Sequence, residues 1–178
     1  MTQLPFVTGV AIFVVAMVSV GLYFWLRARN VSRATWTTLL GRLQRVDRDK
    51  LAAVALDLLE ESEEDPQLAP ESIFAMVGGM EGLEVIGQNC DVLIDIAAYV
   101  QRWYPEAVEI AEELRLNARE IKWHIGRLRG AKETGHFYEQ FPVYAQRAVA
   151  TYYLMTRSLL VLYEGGSVPG FAELQQAL

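Results

Sequence analysis

Six acidic or imidazole side chains supply the first chemistry to weigh. Glu84, Asp91 and Asp95 recur at helical spacing, and Glu113, Glu120 and His124 do so further along the chain. Two such faces turned together would form the donor inventory of a carboxylate-bridged metal site in a helical bundle. Those sites are built from two Glu-x-x-His pairs, with a single Glu contributed by each remaining helix. Here three residues separate Glu120 from His124, and no second ligand histidine falls in a helical stretch. The carboxylates also lie off the apolar seams, so a solvated, ion-paired surface is expected, with no metal and no cofactor.

Nucleophilic chemistry has little to draw on. The chain lacks G-x-S-x-G and a glycine-rich phosphate loop, and the glycines at 78, 79, 82 and 87 follow no strand. Cys90, the single cysteine, falls on an apolar helical stripe and reads as a small core hydrophobe. One pair remains as an alternative. Six residues separate Arg129 from His136, within the Arg-x(4–6)-His spacing of HEPN-type helical ribonucleases; arginine would hold phosphate and histidine would move a proton. Two common residue types at loose spacing do not establish a family, and the surrounding GAKETG reads as an interhelical loop.

The elements that must position these residues are helices. No stretch sustains the alternation of a strand, whereas three- and four-residue spacing recurs throughout. Asp47 or Asp49 caps a helix with Leu51, Val54, Ala55, Leu58 and Leu59 on its buried face, and the acidic run before Pro66 ends it. Pro70 opens a short helix that Gly78 and Gly79 stop. A longer one is expected from Glu81 to Tyr104, before Pro105. The next, from Glu106 to about Arg129, carries a heptad seam of Ala107, Ala111, Leu114, Ala118, Ile121, Ile125 and Leu128. The last long helix has a seam of Phe141, Ala145, Ala148, Tyr152, Met155, Leu159 and Leu162. Val149, Tyr153, Leu160 and Tyr163 make it apolar on a second side, which places it mid-bundle. Four long helices with short pieces and short loops predict an all-α antiparallel bundle.

Before this bundle comes a stretch of different character. Phe6 to Leu26 are 21 residues without a charge, enough for a helix to cross a hydrocarbon core of about 30 Å. The preceding MTQLP has no basic residue, and no small-residue cleavage pattern follows, so a retained anchor is expected rather than a signal peptide. Trp25 at the exit, with Arg27, Arg29 and Arg33 beyond it, marks the cytoplasmic side by the positive-inside rule. The expectation is a single-pass protein of the plasma (inner) membrane, amino terminus outside. From Ser32 onward, Trp36, Leu39, Leu40, Leu43 and Val46 form one helical stripe flanked by Arg42 and Arg45. That stripe has two possible homes: an anionic membrane surface or the bundle core. The organisation read from sequence is therefore an anchor over 1–26, a basic amphipathic helix over 27–46, an acidic bundle over 47–166 and a hinged short helix over 167–178.

Charge separates these parts. Residues 1–46 hold five arginines and no acid. The remaining eleven bases and all 22 acids give the rest a formal charge of −11. An acidic bundle repels phosphate backbones, so no nucleic acid is expected as a partner. A hydrophobic share of 52% excludes a disordered chain, and one cysteine excludes a disulfide-stapled fold. With an anchor and no convergent catalytic set, the expected function is non-enzymatic. The chain reads as a membrane-held helical scaffold or accessory subunit that touches anionic lipid and an unidentified membrane or cytoplasmic protein. Trp103, Tyr104, Trp123, Phe137 and Tyr138, with Phe171 and Leu174 near the end, are the candidate contact residues, because aromatic side chains dominate interface energetics.

Overall fold

Among the described residues of the bundle, seven helices follow from the apolar spacing and its punctuation: α1 (Trp36–Leu40), α2 (Arg48–Leu59), α3 (Pro70–Val77), α4 (Gly79–Val100), α5 (Ala107–Glu133), α6 (Phe137–Gly165) and α7 (Phe171–Ala177). The computed structural model describes residues 13–19, 21–22, 35–60, 68–101, 104, 107–165 and 170–178. All regular secondary structure among them is helical. The chain divides into two units, Met1–Thr35 and Trp36–Leu178.

In the first unit, residues 13–19 and 21–22 are helical and exposed, and the Ser19 hydroxyl donates back to the Val15 carbonyl at 2.7 Å. Among the described residues no helix is long and apolar enough to cross a membrane. The rest of the expected span over 6–26, with Trp25, Arg27, Arg29 and Arg33, lies outside the described residues.

In the second unit α6 packs against α2, α3, α4, α5 and α7. All seven residues of each predicted seam are buried, and Val149 and Tyr163 bury the second side of α6. A helix apolar on two sides can satisfy both only from the centre of a bundle. α5 and α6 are joined by Thr134, Gly135 and His136, a connection short enough to make them antiparallel neighbours. The sequence places the end of α5 near Arg129, but the helix continues to Glu133 because Ala131 still reaches the core. There Gly135, at φ 80°, lets the His136 N–H reach the Ala131 carbonyl at 2.9 Å, the closing bond of a Schellman motif. Helix α4 starts at Gly79 and ends at Val100, short of Tyr104. Its first turn is set by consecutive left-handed glycines, Gly78 and Gly79, as the Pro-in, Gly-out pattern anticipates.

The stripe after Ser32 needs correction. It does not continue as one helix to Val46, since α1 stops at Leu40 and residues 43–47 are not helical. The Gln44 backbone instead bonds a buried side chain: its N–H donates to Asn89 Oδ1 at 2.9 Å, and its carbonyl accepts from Asn89 Nδ2 at 2.8 Å. Asn89 Nδ2 also reaches the Tyr152 hydroxyl at 3.3 Å, and Arg42 donates to the buried carboxylate of Asp95 at 2.9 Å. Of the two homes open to this stripe, Leu39 and Trp36 occupy the bundle. Leu39 is fully buried, and the Trp36 ring lies 5.9 Å from Tyr99 and 5.4 Å from Tyr163. A Cβ on Gly170, ahead of α7, would stand 2.5 Å from the Trp36 ring, so a glycine is needed where α7 closes over it.

The independently folding unit is thus expected to begin at Trp36. A 36–178 fragment should unfold cooperatively in urea. Leu39→Ala in that fragment should cost about 2–5 kcal/mol as a large-to-small change at a fully buried site. A 47–178 fragment, which strips Trp36 and Leu39 and leaves Asp95 without Arg42, should show no such transition. A 47–178 fragment as stable as 36–178 would refute this placement.

Candidate functional site

Three of the five carboxylates that invited a metal reading are engaged with cations. Asp91 holds Lys122 at 2.7 Å, Glu84 holds Arg129 at 3.0 Å, and Asp95 holds Arg42. The first two pairs tie α4 to α5. No group of three or more metal-ligating side chains occurs among the described residues. Cys90 is fully buried, and burial pushes its thiol up to about 12, so the nucleophilic thiolate is suppressed.

Arg129 and His136 are placed on exposed surface by different elements. Arg129 projects from α5 to Glu84, while His136 Nδ1 lies 3.2 Å from Glu139 Oε2 in the first turn of α6. No contact between the two side chains occurs among the described residues, and each ends on a separate carboxylate.

Beside His136 the surface becomes concave. Phe74, Gly78, Gly79, Met80, Glu81, Lys132, Gly135, Phe137 and Tyr138 line an open depression of about 480 Å³. Phe74 and Tyr138 also border a second hollow of about 190 Å³, with Pro70, Glu71, Phe141 and Pro142, so the two form one trough between α3 and the start of α6. Its floor is an aromatic cluster: Phe74 lies 4.9 Å from Phe141, 6.2 Å from Tyr138 and 6.4 Å from Phe137, the last edge-on. Tyr138 is 78% exposed. Pro142 sits inside α6 and has no N–H to give the Tyr138 carbonyl.

A second surface runs along the α5–α6 flank. Trp123, 55% exposed, lies 5.9 Å from Tyr144 in an edge-to-face arrangement, and the Arg127 guanidinium stands 5.9 Å from both rings. Beneath them His124 is buried, 5.0 Å from Trp123 and 5.6 Å from Tyr144. Its Nε2 is 3.5 Å from Glu120 Oε1, an ion-pair distance without hydrogen-bond geometry, so neither ring nitrogen has a hydrogen-bond partner among the described residues.

The remaining contact candidates fall elsewhere. Leu174 is fully buried beneath α7, whereas Phe171 and Tyr104 are half-buried and Trp103 lies outside the described residues. Arg45 is exposed, and Arg42 is bound to Asp95. Three residues that complete these surfaces are not among the sequence candidates: Phe74, Tyr144 and Arg127. Phe74 reads as core in a short apolar helix. The Arg127 and Tyr144 partnership is long-range, although Trp123 and Arg127 are four residues apart, a spacing that signals a stacked pair on a helix.

Neither a protein-family model, a curated protein nor a solved structure matches this chain.

His124 makes the bundle pH-sensitive in a defined direction. Desolvation, partly opposed by Glu120, lowers its pKa below 6.5, so the native state holds a neutral ring while the unfolded chain protonates near 6.5. Acidification through 6.5 therefore favours the unfolded chain, and the loss of stability continues until the pH falls below the native value. Urea midpoints of the 36–178 fragment should fall between about pH 7.5 and about pH 5.5, and His124→Gln should flatten that change. An unaltered pH dependence in the variant would remove His124 as its source.

Proposed function

We propose that this chain is a membrane-held, non-enzymatic interaction module whose helical bundle presents a docking trough to a partner protein. The observation that carries the reading is the trough itself. Its aromatic floor is packed, yet Tyr138 and Phe74 keep large apolar area open to solvent. Concave aromatic surfaces with a few polar groups are where binding energy concentrates.

The anchor rests on the uncharged run over 6–26, and the orientation on the arginines that follow it. In this reading Trp25, Arg27, Arg29 and Arg33 meet the anionic headgroups of the plasma (inner) membrane, the amino terminus lies outside and the bundle faces the cytoplasm. The acidic bundle is held off the lipid surface by its own charge.

Two measurements test the proposal. The full chain should stay in the membrane pellet through carbonate extraction, and deletion of residues 1–26 should release it; a full chain that washes free would refute the anchor. A photo-crosslinker in place of Tyr138 should give a discrete protein adduct in native membranes, and Phe74→Ser should abolish it without unfolding the bundle. The trough reading fails if a crosslinker at Glu173 gives the same adduct. A nuclease activity of the folded chain lost in His136→Ala would replace the whole reading with a catalytic one.

A further inference from the structure

Three arginines on the α5–α6 flank cluster around aromatic side chains without acidic partners among the described residues. Residues 36–178 hold 13 basic and 22 acidic side chains, so carboxylates are available to neutralise almost any arginine. Lys122 and Arg129, on the side of α5 that faces α4, take them. Arg119, Arg127 and Arg147 do not: each is exposed, and none makes an ion pair among the described residues. Arg119, Trp123 and Arg127 follow one another at four-residue steps along α5, one above the next. Arg147 lies one turn beyond Tyr144 on α6, close enough to depress protonation of His124. Three uncommitted guanidinium groups thus surround an exposed tryptophan and its tyrosine neighbour, with Glu120 as the acid closest to them in the helix register.

Trp, Tyr and Arg are the side chains that recur in the energetic centres of interfaces. The Arg127 guanidinium, 5.9 Å from both ring centroids, lies against the aromatic pair before any ligand arrives, which lowers the ordering cost of pairing it with a carboxylate. We propose that this flank is a second binding surface, which takes a short acidic peptide segment of a partner protein bearing an apolar or aromatic residue. The carboxylates pair with Arg119, Arg127 and Arg147, and the apolar residue packs on Trp123 and Tyr144. Charge complementarity favours a short segment over a lipid surface. An anionic bilayer would confront the acidic excess of the whole bundle, together with Glu120 and Glu112 on the exposed side of α5. A peptide that covers only the arginines lies within about one Debye length of them, and the more distant carboxylates are screened.

The probe is an immobilised peptide library with fixed glutamates around variable positions, offered to the detergent-solubilised full chain, with a glutamine-for-glutamate library as control. Binding to the glutamate library alone is expected, with preference for aromatic residues at the variable positions and weakening as salt rises. The double variant Arg127→Glu, Arg147→Glu and the single variant Trp123→Ala should each lower affinity about tenfold or more. Both replace exposed side chains, and an unchanged urea midpoint verifies the fold. The Phe74→Ser variant should bind normally, which separates this surface from the trough. Absence of binding, or binding indifferent to the arginine reversals, overturns the proposal. Arginine-dependent binding to phosphatidylserine vesicles without peptide binding would overturn it in favour of a membrane surface.

Discussion

The side chain of Asn89 carries a burden usually met by secondary structure. Residues 43–47 are not helical, and the part-buried Gln44 backbone finds its N–H and C=O partners on a side chain of α4. Asn89, itself 1% exposed, offers one acceptor and two donors to that segment and takes both the N–H and the carbonyl of Gln44. Its second amide proton goes to Tyr152 on α6, so one amide joins three parts of the chain. Losing it would deprive the buried Tyr152 hydroxyl and the part-buried Gln44 backbone of this partner, at about 1–3 kcal/mol for each group that water does not reach. The clamp sets where the segment crosses α4, and so where Arg42 meets Asp95 and where Trp36 enters the space under α7. Trp36 has no acceptor for its indole N–H among the described residues. Packing against Tyr99, Tyr163 and Gly170 holds the ring, and that depends on the clamp delivering it there.

Helix α6 is the other organising element, and its sequence shows how. Small residues at 145, 148 and 150 let neighbours approach, while Phe141, Met155, Leu159 and Leu162 fill the space between them. The same helix supplies Tyr138 to the trough at its first turn and Tyr144 to the flank two turns on. Both candidate surfaces are therefore built on the most deeply supported helix of the fold. Rigid support of that kind keeps side chains in place at little entropic cost on binding.

Much of this architecture is legible in the residues. The two seams, the short Pro70 helix, the glycine stop at 78 and 79 and the central position of α6 follow from apolar spacing and backbone chemistry, because those signals are local. What spacing misreads is what long-range pairing decides. The stripe from Trp36 to Val46 has the period of one helix, but Asn89, 45 residues from Gln44, competes for its backbone and wins. The extension of α5 past Arg129 turns on whether Ala131 meets the core, which no local pattern states. Within the surfaces, Trp123 and Tyr138 are visible as aromatic residues. Phe74 and Tyr144 become part of them only through packing across helices.

Helix α5 carries cations on two flanks, and the two are treated differently. Toward α4, Lys122 and Arg129 are neutralised by Asp91 and Glu84 at 2.7 and 3.0 Å. Exposed pairs of this kind contribute only about 0–1 kcal/mol each, too little to explain the fold, but they fix the register between the two helices. Toward α6 the register is already fixed by the alanine-rich seam, and Trp123, His124 and Tyr144 pack there in place of ion pairs. The buried ring of His124 is neutral because desolvation makes its charged form costly, so it adds no positive charge beneath Arg127 and Arg147. Positive potential on that flank thus comes from the exposed guanidinium groups, which are free to meet charge from outside the molecule. A bundle with 22 acids to 13 bases has left these arginines uncompensated where it also exposes Trp123. Self-neutralisation would have been the easier arrangement for stability; an open cationic and aromatic surface is the arrangement that recognition requires.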